Sequence, residues 1–225
     1  MITVEILHVF TDENGKYGNL VPIIIDEDGK ISLEERIAFT KKNGYDETLF
    51  INNLDRREVS IYNSQQEVSF AGPPLVGAAW FLRKKLGKFF NTIYCQSKEI
   101  ILTYSSDMIW IQTGIENIPR WNFKLFGTPT DIVNLSQKEV ENTKHTMMWS
   151  WIYEQKGVVR ARTFAKDWGI AEAEANGSGS ILLSSILLRD LVVIHGKGSE
   201  LFTKYIDNEH VQLGGRVVKD STVEI

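Results

Sequence analysis

Apolar and polar residues alternate loosely through 2–10 (ITVEILHVF), the two-residue period of a half-buried strand. Gly15 and the Gly18–Asn19 pair then break the pattern before a second apolar run, LVPIII at 20–25. Ser32 and Glu35 have capping-box spacing, so each side chain can satisfy an orphan amide of the first turn. A helix is predicted from there to about Asn43, with Gly44 as a left-handed stop. ETLFIN, REVSIY and EVSF predict short strands. Pro74, whose missing amide is not needed in a first turn, is placed as the first residue of the helix PLVGAAWFLRKKLG. NTIYCQ, EIILTYS and MIWIQT follow as strands. Residues 114–131 hold Gly and Pro with little periodicity and read as a link between halves.

The second half repeats this grammar. Ser136 and Glu139 form another capping box over a short helix, and HTMMWSWIYE and VVRARTFA read as strands. The turn ANGSGS feeds the helix ILLSSILLRD, and LVVIHG, HVQL and GRVVKD complete the chain as strands. Each half is therefore several strands, a turn of small residues and one helix that is apolar nearly all round. Such a helix must be buried. The expected fold is α+β, with two pseudo-symmetric lobes, each a mostly antiparallel curved sheet around a central helix. The lobes are expected over 1–115 and 116–225, the last strand being the one able to return to the first lobe.

Composition narrows the function. The 225 residues are 43% hydrophobic and 24% charged, which suits a chain that folds around a core. A net charge of −4, with 29 acidic and 25 basic residues, argues against a nucleic-acid partner. The longest apolar runs are too short to span a bilayer, which argues against a membrane partner. One cysteine, Cys95, excludes an internal disulfide, a multi-cysteine metal site and any mechanism using two thiols. With no targeting segment recognised, a cytoplasmic location is expected.

Two segments place glycines at the start of an apolar helix, FAGPPLVGAAW and AEANGSGSILL. A helix start exposes unpaired amides and can hold a carboxylate or phosphate, and glycine lets the ligand approach closely. Neither turn carries a phosphate-loop lysine, so nucleotides are disfavoured. Glu47, where a loop becomes an apolar strand, is the candidate acid–base group, because partial desolvation would raise its pKa. A solvated strand-edge glutamate is the competing reading. His8 and His195 lie in apolar strands and read as hydrogen-bonded core imidazoles, and the four histidines show no metal spacing. Trp149 and Trp151 share a strand face and read as core or a subunit contact.

Five segments in order resemble the phenazine-biosynthesis PhzF-like family, which shares its architecture with diaminopimelate epimerase and proline racemase. HVFTDENGKYGNLVPII keeps Phe10, Thr11, Gly18 and Asn19 of the family's opening; YDETLFI keeps Glu47, Thr48 and Phe50, with Asp46 for a serine. FAGPPLVGAAWFL is similar to the phenylalanine-x-glycine-histidine-proline helix start. RTFAKDWGIAEAEANGSGS and QLGGRVV resemble the second glycine–serine turn and the closing strand. The resemblance implies a cofactor-independent isomerase that moves a proton on a small carboxylated substrate, cyclic and aromatic acids included, in a cleft between two lobes of a homodimer. It implies Glu47 as the acid–base residue and Asn19, Gly72, Pro73, Gly177 and Ser178 as substrate-binding positions.

The chain departs from that pattern at Pro73 for the motif histidine, Ala173 for an aspartate, Glu174 for a proline, Asn176 for a threonine and His8 for an aspartate. Glu172 or Glu174 could stand in for the lost aspartate. The departures keep a second reading open, a non-catalytic small-ligand-binding or interaction protein on the same scaffold.

Overall fold

The computed structural model describes residues 2–141 and 143–224. The first half comprises strands β1 (Thr3–Thr11), β2 (Asn19–Ile25), β3 (Thr48–Asn53), β4 (Glu58–Tyr62), β5 (Glu67–Val68), β6 (Thr92–Cys95), β7 (Lys98–Ser105) and β8 (Met108–Gly114). Helix α1 (Leu33–Asn43) connects β2 to β3, and α2 (Gly72–Leu86) connects β5 to β6. The second half comprises β9 (Asn122–Leu125), α3 (Pro129–Val133), α4 (Gln137–Glu141), β10 (Thr146–Tyr153), β11 (Val158–Ala165), β12 (Ile170–Ala173), α5 (Gly177–Leu187), β13 (Leu191–His195), β14 (Ser199–Tyr205) and β15 (His210–Glu224). Both anticipated capping boxes form at the strand-to-helix turns of the first half and at Ser136, and Gly44 adopts φ 68° as the stop of α1.

Strands β1-β2-β3-β4-β6-β7-β8-β15 are paired in that order, and β15 also pairs antiparallel with β1, so the first lobe is a closed eight-stranded ring. Helix α2 runs inside it, with every residue from Gly72 to Ala79 buried. Apolarity on all sides is what a helix surrounded by a sheet requires. The second lobe continues from β15 through β14, β13, β11 and β10 to β9, wrapped on α5. Its pairings repeat the first lobe. The parallel pair β2–β3 across α1 corresponds to β9–β10 across α3 and α4, and β4–β6 across α2 corresponds to β11–β13 across α5. Among the described residues β1 has no counterpart, so the second sheet stays open beside β9.

One apolar cluster runs through both lobes, from Leu7 and Leu75 to Ile181 and Leu213. Under α1 a smaller cluster, Val4, Ile6, Ile24, Phe50 and Tyr62, surrounds the buried Arg36. That guanidinium is paired with Asp26 at 2.7 Å and donates to Asn52 and Ser60, which is how a buried charge is tolerated. Among the described residues no helix is long and apolar enough to cross a membrane, and no cluster of His, Cys, Asp and Glu could hold a metal ion.

Several elements differ from expectation. Helix α2 starts at Gly72, so Pro73 and Pro74 both sit inside its first turn. The glycine–serine segment is the first turn of α5 and not a loop ahead of it. The link region contains β9, SELFTKY forms β14, and HVQL and GRVVKD are one continuous strand. His8 is half-exposed, 3.4 Å from Asp220, rather than in the core.

Candidate active site

The tips of α2 and α5 meet between the lobes. Both begin with glycine, and a methyl group on Gly72 would lie 3.4 Å from the Cα of Gly177 and 2.7 Å from Cδ2 of the buried Leu213. Around the tips is a cavity of about 620 Å³. Asn19, Glu47, Gly72, Pro73, Gly177 and Ser178, residues far apart in the chain, all line it.

Local structure places Glu47. The left-handed Gly44 turns the chain off α1, and its amide donates to the last carbonyls of the helix. The Thr40 hydroxyl lies 2.8 Å from that of Thr48 and ties α1 to the first residue of β3. Glu47 is held between these points, half-buried, and neither carboxylate oxygen has a hydrogen-bond partner among the described residues. Desolvation, with a smaller contribution from the charge of Asp46, pushes its pKa up to about 8. Burial raises Asp46 as well.

The two tips are not equivalent donors. In α2, Pro73 and Pro74 have no amide hydrogen and Leu75 donates to the Ala71 carbonyl, so Gly72 carries the free amide. Pro73 therefore brings neither an amide donor nor a titratable side chain to this tip. In α5 the Asn176 side chain accepts from Gly179, and Ser180 donates to the Asn176 carbonyl, which leaves Gly177 and Ser178. Asn19, also buried, donates from Nδ2 to the Ala175 carbonyl at 3.3 Å, and its Oδ1 has no partner among the described residues. The cavity thus combines three amide donors, one unpaired acceptor and one uncharged carboxyl group.

Sequence reasoning missed the aromatic wall. Trp121 and Trp168 line the cavity, 4.9 Å apart edge to face, and His145 stacks on Trp168 at 4.6 Å. These residues come from three separate connections with no local periodicity, so only the folded chain brings them together. Asp167 also lines the cavity but is held by the His145 ring at 2.7 Å, and that hydrogen bond keeps its carboxyl below the usual range. Trp149 and Trp151 lie elsewhere, edge to face at 5.1 Å, with Trp149 in the core. Glu172 and Glu174 are outside the cavity lining. Arg162 holds the first at 2.7 Å and Ser199 donates to the second.

No protein-family model matches the sequence. Solved structures of the same shape do. A phenazine biosynthesis protein of the PhzF family from Enterococcus faecalis superposes with a TM-score of 0.80 at 13% identity, covering 98% of this chain and 97% of that one. A predicted epimerase from Pseudomonas aeruginosa gives 0.74 at 19% identity, covering 100% and 99%. A probable proline racemase from Agrobacterium radiobacter, solved with bound carbonate, gives 0.64 at 9% identity, covering 100% and 93%. The likeness is one of architecture over essentially the whole chain: this protein has the PhzF-like, two-lobed fold shared with the proline racemase type.

Proposed function

We propose that the protein is a cofactor-independent isomerase that moves a proton between two carbons of a small carboxylated substrate, with Glu47 as the general acid and base. The observation that carries the reading is a carboxyl group without a hydrogen-bond partner among the described residues, its pKa pushed up to about 8, in the cavity where two helix tips meet. The amides of Gly72, Gly177 and Ser178 would hold the substrate carboxylate, and Asn19 Oδ1 would accept from a substrate hydroxyl or amine. In its ionised form Glu47 takes a proton from one carbon, the electron pair left behind spreads into the conjugated acid, the carboxyl proton exchanges with solvent, and Glu47 then delivers a proton to a second carbon, which leaves it ionised again. No electrons are gained or lost, so no redox partner is needed. The Trp121 and Trp168 rings, set edge to face, favour a cyclic or aromatic acid.

The test is incubation in deuterium oxide with a panel of small cyclic and aromatic acids, read by mass spectrometry. Deuterium is expected in at least one acid with the wild-type protein, with a loss of about 10²–10⁴-fold in Glu47→Gln. Exchange that survives the substitution removes Glu47 from the mechanism. A second reading, a binding protein without catalysis, is favoured by Pro73 and Ala173, which leave no other uncommitted acid–base group at the helix tips. Thermal stabilisation by an acid that shows no exchange would establish it.

A further inference from the structure

A hydrogen-bond chain leads from the tip of α5 to a histidine buried behind it. The His195 ring is fully buried in β13, and Nδ1 lies 3.0 Å from the Glu174 carbonyl oxygen. A carbonyl only accepts, so Nδ1 carries the proton. Burial pushes the His195 pKa down to about 4, so at neutral pH the ring holds one proton and Nε2 is a bare acceptor. The Thr163 hydroxyl, 2.8 Å from Nε2, must donate to it. The Thr163 oxygen is then free to accept from Asn176 Nδ2 at 3.3 Å.

This direction fixes the side-chain amide of Asn176 with its oxygen toward α5. There Oδ1 accepts from the Gly179 amide at 2.8 Å and from the Ser178 hydroxyl at 3.1 Å. Having donated its hydrogen, the Ser178 oxygen accepts from Trp121 Nε1 at 2.8 Å. Turning the Asn176 amide over would set its NH₂ against the Gly179 N–H and its oxygen against the Thr163 oxygen, whose hydrogen is given to His195, so the two ends of the chain stand or fall together.

We infer that Thr163 and His195 are positioning residues of the site, setting through Asn176 both the free amides at the tip of α5 and the placement of Trp121. Two consequences follow. The Ser178 hydroxyl is committed to the protein, so it is the Gly177 and Ser178 amides that remain for a ligand. The aromatic wall is anchored to the same chain as the anion-holding tip. The part concerning ligand affinity rests on the proposed function, in which that tip receives a carboxylate. The part concerning hydrogen-bond direction does not.

The first measurement uses the unaltered protein. Nitrogen-15 shifts of His195 at neutral pH are expected to report the Nδ1–H tautomer, and the Nε2–H tautomer would overturn the chain. The second compares Thr163→Val, which keeps the shape and removes the hydroxyl, with Thr163→Ser, which restores it. The Trp121 indole N–H resonance, assigned with Trp121→Phe, is expected to move in the valine variant and return in the serine variant. Benzoate is the ligand probe. Its affinity should fall about tenfold with valine and recover to within about twofold with serine. An unmoved indole resonance in a folded valine variant would refute the inference, and a valine variant that fails to fold leaves the tautomer measurement to decide. If benzoate does not bind the wild-type protein, the carboxylate reading of the site fails while the indole and tautomer results still judge the chain.

Discussion

At the scale of single residues the central fact is a carboxyl group placed where ionisation is unfavourable. Glu47 has an ordinary value of 4.5 and is pushed up to about 8, chiefly by desolvation. Between those values the folded protein binds a proton the unfolded chain has released, so stability from this group is full below about 4.5 and is lost as pH rises through 8. Glu47→Gln lacks that dependence. Its unfolding free energy relative to wild type should therefore climb between pH 5 and 8, by up to about 1.4 kcal/mol per unit, and level off above. Urea unfolding at several pH values checks this, and a flat difference would show that Glu47 ionises freely. His195 works in the opposite sense, because its lowered pKa costs stability as pH falls from 6.5 toward 4; the two ranges overlap, but both proteins carry His195, so its effect cancels in the difference between them. Glu47 entered as a candidate because a carboxylate beside an apolar strand coincides with a family-like segment, YDETLFI, although the strand position by itself equally fits a solvated edge glutamate. Trp121, Trp168 and Asp167 did not, since each sits in a polar connection and acquires meaning only from neighbours 22 to 57 positions away.

At the scale of elements, close approach explains both what the helix starts look like and where pattern reading failed. Gly72 and Gly177 are the two first residues of the buried helices, and a side chain on either presses on Leu213. Gly72→Ala is expected to destabilise by about 1–3 kcal/mol, through overpacking in a filled core. Gly77→Ala, in the middle of the same helix, meets its nearest neighbour at 3.3 Å and gains helix propensity, so it should cost clearly less. Equal costs in urea unfolding would mean that the two tips are not in tight contact. The same reasoning accounts for β15, where Gly214 separates the expected strand HVQL from GRVVKD, which opens at Gly215. Both glycines are instead paired residues whose missing side chains make room for the Trp110 and Phe10 rings, each within 2.5 Å of where a methyl group would be. Glycine marks a turn and a close contact with the same letter. Strand β9 was hidden for a different reason. It is four residues long, mostly exposed and flanked by proline and glycine, so it has no periodicity to read.

At the scale of the whole molecule, the duplicated pattern of strands and apolar helices made the two-lobed plan readable, but not the inequality of the lobes. The first lobe is a closed ring because β1 bridges β2 and β15, whereas the second lacks a counterpart to β1 among the described residues. Leu125 on β9 and Ile186 and Leu188 at the end of α5 are 59–62% exposed, whereas α2 is buried from Gly72 through Ala79. A strand paired on one side, and a helix with exposed apolar residues at its end, should open by local fluctuation at lower free energy than a ring without edges. Native-state hydrogen exchange is thus expected to show protection in the β9–β10 ladder and the last turn of α5 at least about tenfold below that of β1, β2 and α2. The measurement should be made at two protein concentrations. Weak protection at both fits an open second lobe in the isolated chain. Protection equal to that of the ring at the lower concentration would refute the prediction, while protection that rises with concentration would mean that another copy supplies the missing cover. Because α5 also carries Gly177 and Ser178 at its other end, a mobile second lobe would let the site widen without disturbing the ring that holds Glu47. On that expectation Glu47 sits beside the closed ring, and two of the three free amide donors sit on the lobe that has an edge.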